Sequence, residues 1–260
     1  MGYMGGWSLS KVHIKGHIKN FFSIVFWIVI WQGISSFIGK EILIASPIAV
    51  LKILINMIFE GSFWASLWFS FIRISMGFLL GVLVGVFMGA LAARVALVKE
   101  LLGVLMAVIK STPVASFIII ALIWISSRNL SIFISFLMVV PIIYTSTLKG
   151  IEEVDNSLLE MAKVFKVNKI KKIRYIYVPE VMPFFISAAT VSLGLCWKAG
   201  IAAEVIGIPT GSIGEKLYQA KIFLSTGELF AWTIVIIFIS VIFEKVFLTV
   251  FKSLERKIYC

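Results

Sequence analysis

Charge is scarce in this 260-residue chain: 14% of residues are Asp, Glu, Lys or Arg, and 60% are hydrophobic. Soluble globular domains carry about 25% charged and about 45–50% apolar residues, so an ordinary soluble core is excluded. Cysteine is nearly absent too, with Cys196 inside an apolar tract and Cys260 at the end. Two such cysteines build no disulfide framework and show no metal-ligand spacing. Strict apolar–polar alternation is missing, which excludes a membrane β-barrel. No G-x-x-x-x-G-K-[ST] loop occurs, because Gly211-Ser-Ile-Gly-Glu-Lys216 has the wrong spacing. His13 and His17 lie four apart, but two ligands on a basic segment make no zinc site. No catalytic residue, metal or cofactor is expected. Repeats of solenoid period, low-complexity tracts and a second, soluble domain are lacking as well.

What the chain does have is long uncharged tracts at residues 21–39, 74–93, 111–127, 129–148, 181–197 and 229–243. A helix crossing a bilayer needs about 20 predominantly apolar residues. Lipid offers no partner to backbone amides, so such tracts must be helical. The fold class expected is an all-α integral membrane protein with about six transmembrane helices, at 20–38, 62–92, 101–125, 130–148, 182–206 and 229–251. The first apolar run exceeds the roughly 7–15 residues of a signal-peptide core and is read as a retained helix.

The net charge of +11 would suggest nucleic acid in a soluble protein; here topology accounts for it, and no nucleic-acid partner is expected. Fifteen of the 24 Lys and Arg residues fall before the first helix, at Arg94 and Lys99, between 149 and 174, and after 251. Five (Lys40, Lys52, Arg128, Lys216 and Lys221) fall on the opposite side. The positive-inside bias then places both termini in the cytoplasm. The expected organisation is a cytoplasmic segment at 1–19 and a first helix at 20–38. An outer loop at 40–61 follows, with a short amphipathic helix after Ser46-Pro47. A five-helix core at 62–251 contains a cytoplasmic loop at 149–182, and 252–260 form a tail. Gly207 to Gly214 reads as a glycine-rich outer turn.

Gly77, Gly81, Gly85 and Gly89 recur every four residues, about 40° apart around a helix. Such a stripe lets a neighbouring backbone come close. Packing against another helix of the same chain is the simplest reading; a subunit contact or a mobile seam is the other. Ionisable residues inside spans are costly and often functional. Arg73, Lys110, Lys198 and Glu204 qualify as pathway candidates, as does Pro113, which interrupts the third span and kinks it. Lys198 and Glu204 stand about 120° apart on a helix, so each needs a partner elsewhere. Snorkelling to the interface is the alternative for these charges.

Loop 149–182 is the longest polar stretch. Ser157 and Glu160 have capping-box spacing, followed by Leu158, Met161, Ala162 and Phe165 on one side of a helix. A break near Asn168 precedes a second stretch with Ile170, Ile173 and Ile176, ending before Pro179. Two short helices with an apolar ridge read as a docking element; a membrane-surface anchor is the competing reading.

The loop resembles the EAA motif of ABC importer permeases, E-A-A-x3-G-x9-I-x-L-P. Glu160, Ala162, Ile176 and Pro179 match, while Met161, Lys166 and Val178 replace an alanine, the glycine and the leucine. In the family that glycine turns the chain between two short helices, and Asn168 is expected to take over the turn here. Ser46-Pro47, Ser70-Phe-Ile-Arg73, Thr112-Pro113, Trp197-Lys198, Ala203-Glu204 and Gly214 extend the resemblance to the branch for nitrate, sulfonate and taurine uptake, which also includes transporters of thiamine precursors. The resemblance implies a type I ABC importer permease fold in the plasma membrane. It implies separate ATPase subunits docked on the Glu160 helix and an extracytoplasmic substrate-binding protein. A second permease copy, as a homodimer, and membrane lipids complete the partners. Read from the residues alone, a secondary transporter relaying ions through Lys198 and Glu204, or a scaffold recruiting a soluble partner, stays open.

Overall fold

Apolar tracts of this length have one way to satisfy their amides in lipid, and the computed structural model is helical throughout its ordered elements. It describes the backbone of residues 8–259 and the side chains of 22–251 and 253. The sequence expectations on Lys11, His13, Lys15, His17 and Lys19, and those on Lys252, Arg256 and Lys257, lie outside the described side chains. No strand occurs among the described residues. Among the described residues four helices are long and apolar enough to cross a membrane, and the bent pair Ala96–Ser111 with Val114–Ala121 is apolar enough to be a broken span or a re-entrant loop.

The described chain divides into two units. The first holds α1 (Ser8–Ile38), α2 (Pro47–Ile58) and residues 220–233. The described apolar part of α1 is Phe22–Ile38. Ser46 starts α2 by accepting from the Ala49 amide, with Pro47 in the first turn, where its missing N–H costs nothing. Trp31 Nε1 donates to Ala45 O at 3.1 Å and Ser35 Oγ to Ile44 O at 3.0 Å. Ala45, Val50 and Ala231 form the small core. Ile48, Leu51 and Ile55 are exposed on α2.

The second unit contains α3 (Gly61–Ala92), α4 (Ala96–Ser111), α5 (Val114–Ala121), α6 (Ser127–Glu152), α7 (Asn156–Val164), α8 (Lys169–Lys172), α9 (Val178–Gly207) and most of α10 (Ile213–Ile222) and α11 (Thr226–Tyr259). Its centre is the packing of α6 between α3 and α9. The four glycines of α3 meet Ser135, Val139, Ile143 and Thr147 of α6, which also recur every four residues. A Cβ built on Gly81 or Gly85 would lie 2.7 Å and 2.8 Å from the Cβ atoms of Val139 and Ile143. Gly200 of α9 similarly leaves room for the Ser135 hydroxyl, which donates to Cys196 O at 3.2 Å. An aromatic chain through Phe71, Phe78, Trp197, Phe243 and Phe247 holds α11 against α3 and α9 at centroid separations of 4.9–6.2 Å.

Two span boundaries differ from the sequence expectation. The third span, read as 101–125, is not one helix. α4 and α5 meet at 101°, because Thr112 and Pro113 are both extended, with ψ of 132° and 133°. Proline forces its predecessor out of the helical region, so a whole bend replaces a kink. The helix of the loop's second half does not end before Pro179 either. It runs unbroken as Lys169–Gly207 through a π-helical turn at Ile173–Tyr177, where the Val178 amide donates to Ile173 O. The wider turn precedes Pro179, whose ring would crowd the carbonyl four residues back in an ordinary helix.

Gly81→Leu is expected to destabilise the protein by about 1–3 kcal/mol through overpacking of the α3–α6 seam. Gly194→Ala, where a Cβ meets nothing within 4 Å, should be neutral or stabilising by up to about 1 kcal/mol. Thermal unfolding of the two variants in one detergent compares them directly.

Candidate functional site

The loop between α6 and α9 is built from local capping. Asp155 Oδ1 accepts from the Ser157 amide at 2.8 Å and starts α7 at Asn156. The cap is therefore Asp155, not the Ser157 of the expected capping box; Asp, Asn and Ser stand in succession, and all three are good caps. The amide and hydroxyl of Ser157 hold the Asp155 carboxyl below the usual carboxylate range. The stabilisation from this cap is thus present above the ordinary aspartate pKa and is lost as pH falls through the lowered folded value.

α7 ends in a Schellman turn. The Lys166 amide donates to Lys163 O at 3.1 Å and the Val167 amide to Ala162 O at 2.9 Å. Lys166 sits at φ +49°. The motif's glycine position thus keeps its left-handed conformation although a lysine occupies it. This corrects the expectation for Asn168, which instead caps α8 by accepting from the Ile170 amide at 3.4 Å.

The expected ridge is divided. Ala162 is buried at 3% exposure, whereas Met161, Val164 and Phe165 are 49%, 77% and 75% exposed, and Ile170 is exposed beyond the turn. Leu158 is half-buried, as are Ile176 and Pro179. Val164 was missed because the sequence reading followed the face bearing Ala162, and α7 turns that face inward. A groove of about 490 Å³ between α7 and α8 is lined by Glu160 together with Lys163, Lys169 and Lys172. The Lys99–Glu152 ion pair at 2.6 Å joins the start of α4 to the end of α6 where the loop departs.

The in-span charges are dispersed. Lys110 is exposed just before the α4–α5 bend and donates to Thr145 Oγ1 at 2.7 Å; Thr145 donates in turn to Pro141 O. Pro113 is exposed at the bend, and Lys198 is exposed on α9. The Arg73 guanidinium lies 3.8 Å from the Phe69 ring centroid, with Nε donating to Arg128 O at 2.7 Å. Glu204 is wholly buried, and its partners are not lysines. Ser70 Oγ donates to its Oε2 at 2.6 Å and the Gly214 amide to the same oxygen at 3.3 Å, while Ser70 Oγ accepts from the Ile213 amide at 3.0 Å. Gly214 packs onto Glu204 so closely that no Cβ fits. The buried Ser131 hydroxyl lies within reach of the same carboxyl. The first turn of α10 is thereby fastened to α3 and α9.

α10 is capped locally: Ser212 Oγ accepts from the Glu215 amide at 2.9 Å, and Glu215 Oε2 accepts from the amide of Gly211, one residue before that cap, at 2.6 Å. The S-x-x-E pattern could have been read from the sequence. The role of Ser70 could not, because it lies 134 positions from Glu204. Among the described residues no cluster of three or more His, Cys, Asp or Glu could hold a metal ion.

Four helices long and apolar enough to cross a membrane, a bent apolar pair and a polar loop with an exposed apolar ridge define a multi-pass α-helical membrane protein. The chain belongs to the family of binding-protein-dependent transport system inner membrane components, whose model matches residues 81–259. It is 30% identical over 93 residues to a Bacillus subtilis protein named for aliphatic sulfonates transport, covering 36% of this chain and 33% of the relative. It is 28% identical over 108 residues to the nitrate import permease protein of Synechococcus elongatus, covering 42% and 38%. The bicarbonate transport system permease protein of that organism is 27% identical over 90 residues, covering 35% and 32%. The matched stretches thus span well under two thirds of these relatives. A crystal structure of an amino acid ABC transporter with histidines aligns at a TM-score of 0.48 and 20% identity, over 72% of this chain and 91% of that one.

Lys166→Gly should stabilise the loop by about 1 kcal/mol by removing the cost of a left-handed side chain. Glu204→Ala, which strands the Ser70 hydroxyl and the Gly214 amide, should cost about 1–3 kcal/mol, and Glu204→Gln less. Thermal unfolding reads all three variants, and equal melting of the Ala and Gln variants would sink the carboxylate assignment.

Proposed function

We propose that this chain is the membrane-spanning permease subunit of an ATP-binding cassette importer. It forms the translocation pathway, with a second copy of itself, for a small nutrient such as a nitrate-, sulfonate- or taurine-like anion. ATP is hydrolysed on separate subunits. The observation that carries this reading is the ridge of Met161, Val164 and Phe165, left exposed on a short capped helix inside a family of transport components. Burying a Met, Val or Phe side chain is worth about 1.5–3 kcal/mol each before the costs of association. An ATPase cleft would cover that ridge, with Glu160 and Lys163 of the adjoining groove at its rim.

The loop lies in the cytoplasm in this reading, as do both termini, following the distribution of Lys and Arg. Closure of the ATPase pair moves α7, and the unbroken Lys169–Gly207 helix carries the displacement through the membrane to Glu204 and α10. An extracytoplasmic binding protein delivers the substrate on that far side. Lys110, beside the broken third span, and Lys198 offer cations to an anionic solute, and Arg73 with Arg128 adds positive charge. Glu204 holds α10 in place and does not line the path.

Reconstitution with the candidate ATPase and binding protein tests this. Glu160→Ala and Ala162→Pro are expected to reduce ATP-coupled uptake about tenfold or more, with loss of ATPase co-purification for the proline variant, which breaks α7. Uptake that follows a proton gradient without any ATPase would establish the secondary-transporter reading. Partner binding without uptake would establish the scaffold.

A further inference from the structure

An apolar groove of about 570 Å³ runs along the α3–α6–α9 bundle near the docking loop. Val82, Val86 and Ala90 of α3 form one wall, over about 12 Å at 1.5 Å per residue, and Val181 and Phe185 of α9 form another. Thr147 and Tyr177 are the polar residues of its lining. Tyr177 belongs to the π-helical turn, and the Lys172 ammonium lies 5.7 Å from its ring centroid. Lys172 itself lines the neighbouring Glu160 groove, so through Tyr177 the apolar groove adjoins a cation of the run Lys169, Lys171, Lys172 and Arg174.

We infer that this groove binds an anionic phospholipid, with an acyl chain along Val82, Val86 and Ala90 and the headgroup phosphate against Lys172. The match is one of charge and of shape. An elongated apolar slot accepts a hydrocarbon chain and offers a peptide almost nothing to hydrogen-bond. The basic end faces the cytoplasmic leaflet, where anionic lipids supply the negative surface that attracts Lys and Arg. This placement rests on the orientation proposed above. The lipid would brace the π-turn, the segment that links α8 to the membrane-spanning length of α9, and so would stiffen the lever between the docking loop and the transport pathway.

The test is lipid retention by the intact transporter, measured by native mass spectrometry after addition of phosphatidylglycerol or phosphatidylcholine. Phosphatidylglycerol should be retained about fivefold more than phosphatidylcholine, and Lys172→Gln should abolish that preference, as expected for one basic residue at an anionic headgroup. Ala90→Trp, which fills the slot, should remove retention of both lipids, with thermal unfolding checking that the variant is folded. Equal retention of the two lipids, a preference unchanged in Lys172→Gln, or a cross-link from Val86→Cys to another protein helix in the transporter would overturn the inference. Retention is read without ATP or substrate, and the same preparation is assayed for ATP-coupled uptake. Equal retention of the two lipids by the unaltered transporter with normal uptake defeats the lipid site alone. Lipid preference without ATP-coupled uptake defeats the importer reading and leaves the site.

Discussion

Two helices in hydrocarbon gain little by burying apolar side chains against each other, since lipid tails do that equally well. Their association depends on how near their backbones come. α3 and α6 solve this with four glycines set against Ser135, Val139, Ile143 and Thr147. The rest of the second unit follows from that seam. α6 can also receive α9 on its other side, where Gly200 admits the Ser135 hydroxyl. With α3 and α9 both fixed on α6, Ser70 and Glu204 come within hydrogen-bond distance across 134 positions of sequence. The polar contact is a consequence of the close packing, because a hydrogen bond at 2.6 Å tolerates no slippage between its helices.

The regularities that repeat along the sequence were legible, and those that depend on one backbone angle were not. The glycine step of four, the positions of the apolar tracts and the helix after Ser46-Pro47 each follow from periodicity or a cap. Pro113 announced an interruption, but the 101° bend required Thr112 to leave the helical region as well. Pro179 looked like a stop because proline usually ends a helix, and the π-turn before it removes the conflict. Asp155 outcompeted Ser157 for a cap that either could have made. In each case the residue type narrowed the choice, and packing around it made the selection.

Lys166 shows the same logic at the candidate site. A lysine is a poor left-handed residue, yet the turn keeps the geometry that a glycine would adopt freely. The Schellman bonds from the Lys166 and Val167 amides hold it there, and burial of Ala162 fixes the helix on which they depend. The loop conformation therefore tolerates loss of its most permissive residue because several independent bonds specify it. The cost falls on stability, not on shape, so the exposed face of α7 is presented unchanged.

The same α9 helix carries both ends of the argument about function. Its first turns follow the docking loop, and its last contain Glu204, buried and bonded to the start of α10. Beyond it Ile208 is held left-handed at φ +46° by the bond of its amide to Glu204 O. For a β-branched residue that conformation is strained, and strain of this kind persists only where the surroundings enforce it. A rigid rod fastened at one end to α10 and joined at the other to an exposed loop transmits displacement only if its middle does not yield. The hydrogen-bond register shifts by one residue at the π-turn, and Ile173 and Tyr177 of that turn line the apolar groove. In the importer reading proposed above, whatever fills the groove would set how much of a movement at Glu160 arrives at Glu204.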